Sequence, residues 1–227
     1  MTRHPALDVP IRDRVVAGQA LARLLSAYHQ RPDVIVLALP RGGVPVAYEV
    51  ATTLEVRLDI MLVRKLGTPG YAELAMGAIA SGGVRVLNPD VIESQGIDAA
   101  TVDAVAEREA RELQRRDHAY RGERPSPALG GQQVILIDDG LATGATMRAA
   151  VQAVRLQQPA RIIVAVPVAA PESMASLRPL VDEVICPLMP AALMAIGHWY
   201  QDFSQTTDEE VVTLLQQAWQ RERRQAS

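Results

Sequence analysis

The sequence contains little cysteine and few aromatic residues. Among 227 residues there are one cysteine, two tryptophans, five tyrosines and one phenylalanine. A single cysteine, Cys186, excludes an intrachain disulfide, and such low cysteine use is typical of proteins in a reducing compartment. We therefore expect a cytoplasmic protein.

Long apolar runs and an excess of positive charge are also absent. No run reaches the ~18 apolar residues of a transmembrane helix. The opening residues, MTRHPALDVPIRDR, lack the hydrophobic segment of a signal peptide, so secretion is not expected. The formal net charge is -3, whereas proteins that bind nucleic acid are usually strongly basic. We expect neither a membrane nor a nucleic-acid partner.

The remaining composition is that of an ordinary globular protein, with 48% apolar and 22% charged residues. Segments typical of strands alternate with segments typical of helices, and this alternation predicts an α/β fold. The strand candidates are residues 33–39, 58–63, 78–80, 84–87, 134–137, 161–166 and 183–186. The helix candidates are residues 44–54, 100–120, 146–157 and 208–223, the last capped by Thr206 or Thr207.

The segment VILIDDGLATGAT, residues 134–146, carries the strongest chemical signal. An apolar strand leads to two adjacent carboxylates, Asp138 and Asp139, and a turn rich in glycine and threonine then opens into a helix. Ligands of open α/β sheets bind at the carboxyl ends of strands. Backbone N–H groups and hydroxyls at 143–146 suit a phosphate dianion, while the two acids suit sugar hydroxyls or a nearby magnesium ion. The segment predicts a ribose 5-phosphate pocket; a capped turn with a purely structural role is the alternative.

Other nucleotide-binding motifs do not fit the same segment. A Walker A motif needs a lysine after its second glycine, whereas Ala145 follows Gly144. The spacing from Gly140 to Gly144 does not match the dinucleotide fingerprint G-x-G-x-x-G. These mismatches exclude both motifs here.

Two basic positions precede this segment. The motif PRGG offers the guanidinium of Arg41, and Gly42 and Gly43 allow backbone N–H groups to approach an anion closely. A tight turn between strand and helix is the alternative. Arg64 and Lys65 end the second long strand candidate, and Lys65 is the only lysine among 23 basic residues. The wide fork of arginine cannot replace a compact ammonium aimed at one oxygen, so the single lysine favours a functional Lys65. A charged pair where the strand reaches the surface is the alternative.

An aromatic cluster, HWYQDF at 198–203, holds Trp199, Tyr200 and Phe203. Flat rings can stack on a planar acceptor, so Trp199 and Tyr200 are candidate acceptor contacts. The core of a small second lobe explains the same cluster equally well. Both interpretations stay open.

Together these motifs resemble a known family. Four apolar residues, two acids and x-x-x-T-G-x-T form the phosphoribosyl pyrophosphate (PRPP) signature of type I phosphoribosyltransferases. The stretches VPIRDRVVAGQALARLL, LALPRGGVPVAYEVA, DIMLVRKLGTPGYAELAMGAIA and HWYQDFSQTTDEEV are similar to the stand-alone phosphoribosyltransferases of bacteria. The resemblance implies a parallel sheet flanked by helices, with a small hood lobe. It implies a single domain over 1–227, with a core at about 11–187, a helical insertion at about 98–120 and the hood or C-terminal lobe at about 188–227.

The resemblance also implies roles for individual residues. The PRPP site comprises Arg41, Gly42, Gly43, Asp138, Asp139, Gly140, Leu141, Ala142, Thr143, Gly144, Ala145 and Thr146. Asp138 and Asp139 contact the ribose hydroxyls and, directly or through PRPP and water, Mg²⁺. Arg64, Lys65 and Asp139 are the catalytic candidates. A non-proline cis peptide bond is expected between Pro40 and Arg41.

The function implied is that of a magnesium-dependent phosphoribosyltransferase, a glycosyltransferase of nucleotide metabolism. PRPP is the donor, and residues 67–77 would close over it as a lid. Relatives that use 6-oxopurines have an aspartate immediately before the T-G of the signature; Ala142 stands there, so a different acceptor is expected. Two alternatives stay open: a regulatory protein that senses PRPP or a nucleotide, and a hydrolase or phosphorylase of a phosphoribosyl compound. A homodimer is compatible with each.

Overall fold

A computed structural model describes residues 7–225, with their side chains except those at 72, 73 and 225. The first six and the last two residues of the predicted domain 1–227 lie outside the described residues. Across the described part of the chain, no helix combines the length and apolar composition that a membrane span requires.

The strands form two separate sheets. In chain order they are β1 (Val34–Ala38), β2 (Arg57–Ile60), β3 (Val63–Thr68), β4 (Tyr71–Ala80), β5 (Val84–Leu87), β6 (Gln133–Ile137), β7 (Arg161–Ala165) and β8 (Glu183–Ile185). The main sheet is parallel throughout and has the strand order β2-β1-β6-β7-β8. The second sheet is antiparallel, with the order β3-β4-β5. The parallel sheet confirms the predicted fold class.

The antiparallel sheet corrects the bounds of two predicted strands. The strand predicted at 58–63 ends at Ile60, and the chain begins a new strand at Val63. The strand predicted at 78–80 begins at Tyr71, so residues 67–77, predicted to close as a lid, lie within β3, β4 and the turn between them; their closure stays a prediction. The dipeptide Pro69-Gly70 explains the difference: Gly70 has φ of 80°, and proline followed by such a glycine suits a tight turn between two paired strands.

Helices cover both faces of the parallel sheet. They are α1 (Arg14–Leu24), α2 (Gly43–Leu54), α3 (Pro89–Ser94), α4 (Ala99–Arg121), α5 (Ala145–Arg155), α6 (Pro171–Leu177) and α7 (Asp208–Gln225). Successive strand residues face opposite sides, so Val34 and Val36 pack with α1, α2 and α7, while Ile35 and Leu37 pack with α5 and α6. All four are buried, which explains why the strands of this sheet are apolar without alternation.

A buried ion pair joins β2 to α4. Arg121 donates to Asp59 at 2.7 Å and to the carbonyl of Ile60 at 2.6 Å, and both charged side chains are almost fully buried. Beside them, the indole N–H of Trp219 on α7 donates to the carbonyl of Leu58 at 2.9 Å. These contacts fix α4 and α7 against the edge of the parallel sheet.

The segment between β8 and α7, residues 188–207, lies beside the carboxyl edge of the parallel sheet. Its backbone pairs with the start of the chain, where the N–H of Ile11 donates to the carbonyl of Trp199 at 2.8 Å. The hydroxyl of Thr207 accepts from the N–H of Glu210 at 3.1 Å and begins α7, which confirms one of the two predicted caps.

Candidate functional site

The two glycine-containing motifs meet where the order of the parallel strands reverses. β1 and β6 are neighbours over their full lengths, but the strand that follows β1 lies on one side of this pair and the strand that follows β6 on the other. The connections that leave such a pair diverge and create a crevice outside the carboxyl ends. The PRGG loop, residues 40–43, follows β1, and the acid turn, residues 138–146, follows β6. The candidate site therefore lies at this switch point.

The PRGG loop packs directly against the acid turn. A Cβ atom on Gly42 would lie 2.7 Å from Cγ of Asp139, and one on Gly43 would lie 2.7 Å from the carbonyl oxygen of Ile137. Ordinary carbon contacts are about 3.5–4.0 Å, so any side chain here would displace the acid or the strand end. The close approach of the two segments requires both glycines.

Arg14, at the start of α1, neutralises one member of the acid pair. Its Nε and Nη2 donate to Oδ2 of Asp139 at 2.9 and 2.8 Å, and its Nη1 donates to the carbonyl of Ser204 at 2.7 Å. The guanidinium carbon lies 4.0 Å from the centre of the Phe203 ring, a cation–π distance. Asp138 Oδ1 accepts the backbone N–H of Asp139 at 2.8 Å. Asp139 thus has a firmly held cationic partner, whereas the Asp138 carboxyl is held by a backbone N–H.

Burial disfavours ionisation of both acids, and the neighbouring charges act on the two acids in opposite directions. Burial raises the pKa of Asp138 well above its usual range, and the negative charge of Asp139 raises it further. Burial also raises the pKa of Asp139, while the nearby Arg14 offsets part of this effect. A ligand that donates hydrogen bonds to these carboxylates, or a cation beside them, would favour their charged forms. The pair is therefore suited to bind hydroxyl groups or a divalent cation.

The rest of the acid turn presents the amino end of α5. Gly144 has φ of 68° and stands at the N-cap, a left-handed conformation that favours glycine. The first backbone N–H groups of α5 have no acceptor within the helix. The carbonyls before them bond to the protein: Leu141 accepts from Ala170, Ala142 from Ser173 and Thr143 from Arg148. The turn therefore directs N–H groups and the exposed threonines Thr143 and Thr146 outward, as an anion requires.

The structure places the predicted basic residues in two different clefts. The Pro40–Arg41 peptide bond is cis, as predicted, and the side chain of Arg41 is partly exposed beside the acid turn. Arg64 and Lys65 are successive residues of β3 and face opposite sides. Arg64 bonds to Glu109 on α4 at 2.7 Å. Lys65 lines a cleft of about 490 Å³ between the antiparallel sheet and α5, and Thr146 lines both clefts.

The aromatic cluster packs against the backbone of the acid turn. Tyr200 is buried, and its hydroxyl donates to the carbonyl of Asp139 at 2.7 Å. Its ring lies 5.0 Å from that of Phe203, which in turn faces Arg14. Trp199 is half-buried against the core. These contacts support the backbone of the acid turn; a part for Trp199 and Tyr200 in acceptor binding stays a prediction.

Sequence reasoning missed Arg14. Its contact with Asp139 spans 125 positions, and the spacing of residues near the start of the chain gives no sign of it. One physical signal was present: two adjacent acids at the end of a buried strand are unstable without a cation. That requirement predicts a partner but does not identify which arginine provides it.

The residues present fit a magnesium ion that arrives with a phosphorylated ligand. Within residues 7–225, no three histidine, cysteine or acidic side chains group closely enough to hold a metal alone. Mg²⁺ is commonly bound through one or two carboxylates together with substrate phosphates and water. Asp138 and Asp139 supply such carboxylates next to the amino end of α5.

The fold defines the class of the protein: an α/β protein with a doubly wound parallel sheet and a crevice at its switch point. Comparison with known sequences then identifies the family. The sequence model described as "Phosphoribosyl transferase domain" matches residues 11–201. The chain belongs to the phosphoribosyl transferase domain family, whose members are classed as transferases.

Individual relatives agree with this assignment. In two strains of Mycobacterium tuberculosis, a protein named "Putative phosphoribosyl transferase" is 46% identical over 206 residues, which are 91% of this chain and 46% of that protein. The chain thus spans about half the length of these curated relatives. The crystal structure of TT1426 from Thermus thermophilus is 43% identical in sequence and superposes with a TM-score of 0.82. That match covers 91% of this chain and 97% of TT1426.

Proposed function

We propose that this chain binds PRPP together with Mg²⁺ and transfers the phosphoribosyl group to an acceptor. The observation that carries the proposal is the direct contact between the PRGG loop and the acid turn at the switch point. In this assignment Asp138 and Asp139 accept the ribose hydroxyls, and the amino end of α5 with its threonines holds the 5-phosphate. Arg41 and the N–H of Gly42 hold the pyrophosphate. The N–H of Gly43 donates instead to the carbonyl of Leu39 at 3.1 Å.

The reaction requires one bond to break and one to form at C1 of the ribose. The bond from C1 to the pyrophosphate oxygen breaks, the electron pair leaves with pyrophosphate, and the acceptor forms the new bond to C1. The protein contributes by positioning the donor and by placing positive charge where the leaving group gains negative charge. Mg²⁺, when bound, would neutralise part of the pyrophosphate charge.

The acceptor is proposed to be something other than a 6-oxopurine. Ala142 is exposed in the acid turn, and its side chain can neither accept nor donate a proton. A general base contributes typically 10²–10⁴-fold to a reaction rate, so its lack at this position should make hypoxanthine and guanine poor acceptors. Steady-state assays of both bases with excess magnesium PRPP test this. Turnover of about 1 s⁻¹ or more, the low end of typical enzymes, would contradict the argument from Ala142.

Thermal unfolding in the presence of magnesium PRPP tests the donor site. Ligand at 100 times its dissociation constant should stabilise the fold by about 2.7 kcal/mol. Asp139→Ala and Thr146→Ala should each lose most of this gain. Asp90→Ala, an exposed acid on α3, serves as the control and should retain it. No shift of the wild-type protein at millimolar PRPP would refute the proposed function.

Pyrophosphate release separates transfer from the other activities this site could support. A transferase releases pyrophosphate only when its acceptor is present. A hydrolase releases it from PRPP with water alone, and a sensor protein binds PRPP without releasing any. Assays with and without a panel of candidate acceptors therefore distinguish the three.

A further inference from the structure

A narrow crevice beside the acid turn brings together arginines from three parts of the chain. It has a volume of about 40 Å³, and its lining includes Arg41 of the PRGG loop, Arg64 of β3, Arg116 and Tyr120 of α4, and Thr146 of the acid turn. We refer to it as the arginine crevice. One of its walls is α4, a helix that lies outside both loops of the candidate site.

The three guanidinium groups are held with unequal firmness. The shortest distances to a carboxylate are 2.6 Å from Arg64 to Glu109, 2.9 Å from Arg116 to Glu112 and 3.8 Å from Arg41 to Asp208. The first pair is largely buried, the second is partly exposed, and the third is longer than a hydrogen bond. Arg64 is the most buried of the three. Arg116 bonds to Glu112 through Nε, so its Nη groups can donate to a ligand without breaking that bond, and the side chain of Arg41, 3.8 Å from Asp208, can turn toward one.

The chemistry and size of the arginine crevice favour a phosphoryl group. Glu109, Glu112 and Asp208 each offset part of the positive charge, and a phosphoryl group would accept from the guanidinium N–H groups that these carboxylates leave unused. The planar fork of arginine matches the oxygens of phosphate, often through two parallel hydrogen bonds. A volume of about 40 Å³ corresponds to roughly three water-sized positions, which is too little for a purine ring.

We propose that Arg116 binds the terminal phosphoryl group of the pyrophosphate carried by PRPP, so that α4 forms one wall of the pyrophosphate site. This inference rests on the proposed function, because Arg41 and Thr146 border the crevice and belong to the donor site proposed above. The ion pair of Arg64 with Glu109 attaches a second cation of the crevice to the same helix. Helix α4 thereby sets the position of two of the three arginines.

The test compares Arg116→Gln with Arg115→Gln. Arg115 is a matched control because it also bonds to Glu112, at 2.8 Å, and its replacement removes the same charge. Among the described residues that line the crevice, α4 contributes Leu113, Arg116 and Tyr120 but not Arg115. Isothermal titration of the full chain is carried out with inorganic pyrophosphate plus Mg²⁺ and, separately, with ribose 5-phosphate.

We expect Arg116→Gln to bind pyrophosphate at least about tenfold more weakly than the wild type, the effect of losing one charge-assisted hydrogen bond. Arg115→Gln should stay within about twofold, and both variants should bind ribose 5-phosphate like the wild type. Equal pyrophosphate affinity of the two variants would overturn the inference. Wild-type protein that binds ribose 5-phosphate but not pyrophosphate would also overturn it while retaining the sugar-phosphate site. Failure to bind either ligand would refute the proposed function itself.

Discussion

Replacement of Arg14 by glutamine tests whether the acid pair depends on one cation from the start of the chain. The side chains of Arg14 and Asp139 are 12% and 15% exposed and share two hydrogen bonds. Removal of one partner from a buried ion pair costs about 3–5 kcal/mol, because the other charge is left uncompensated. Since the pair retains slight exposure and Asp139 can take up a proton, we expect a loss of about 3 kcal/mol, the lower end of that range.

Urea unfolding at pH 5 and pH 8 measures this loss and its cause. Without Arg14 the pKa of Asp139 should rise further, because the largest contribution that opposes the effect of burial is then lost. An acid whose pKa is higher in the folded than in the unfolded state loses stability as the pH rises through that interval. The deficit of Arg14→Gln should therefore be larger at pH 8 than at pH 5, and Asp139→Asn in the same background should abolish this difference.

Arg12→Gln provides the control for this experiment. Arg12 precedes the same helix, pairs with Asp13 and has a side chain that is 66% exposed. Its replacement should change stability by less than about 1 kcal/mol at either pH. A deficit of Arg14→Gln that does not depend on pH, or one matched by Arg12→Gln, would refute the account of Arg14 as the partner that keeps Asp139 charged.

The same structure supports predictions for three further variants. In thermal unfolding, Asp138→Asn should stabilise the protein more at pH 8 than at pH 5. Burial raises the pKa of Asp138, so the charged form that exists at high pH destabilises the fold. No gain in stability at pH 8 would contradict this. The same variant should lose affinity for ribose 5-phosphate in titration calorimetry. Lys65→Arg should lower kcat far more than PRPP affinity, because charge on the leaving group grows in the transition state; wild-type turnover would show that the single lysine has no special role. Asp59→Ala should cost about 3 kcal/mol in urea unfolding, the lower end of the range for a buried pair, because Arg121 loses one of its two carboxylate partners and keeps Asp117. The exposed acid Asp103, paired with Arg85, is the control and should cost less than about 1 kcal/mol when replaced by alanine; equal costs would contradict the role of burial.

Neighbouring residues in the sequence were enough to predict several helices, strands and turns. The apolar strands on either side of the switch point, the acid turn and the helix after it could all be predicted. Each rests on neighbouring residues: an apolar run forms a buried strand, and Gly144 takes the left-handed conformation that begins α5. The buried face of α4, with Val102, Val105, Ala106 and Leu113, follows the helical period in the same way. The structure confirmed these elements because the residues that favour each local conformation are also the residues that the fold buries.

The strand bounds around Pro69-Gly70 are the first point at which prediction from the sequence is wrong. Pro69-Gly70 suits a loop before the strand predicted at 78–80, but a proline followed by a glycine with positive φ also closes a hairpin. Such a dipeptide can end one strand or connect two strands. The outcome depends on whether the residues on either side of it pair with each other. Thr68 and Tyr71 pair with each other across the turn, and this pairing decided the outcome.

Only the tertiary structure decided which charges meet. The contact of Arg14 with Asp139 and the grouping of Arg41, Arg64 and Arg116 join residues far apart in the chain. No local pattern encodes them, because an ion pair depends on the separation of its charges in space and on the surrounding burial. The amino-acid sequence by itself predicted a sugar-phosphate site at the end of β6. The packing of α1 and α4 against that edge decided which cations accompany it.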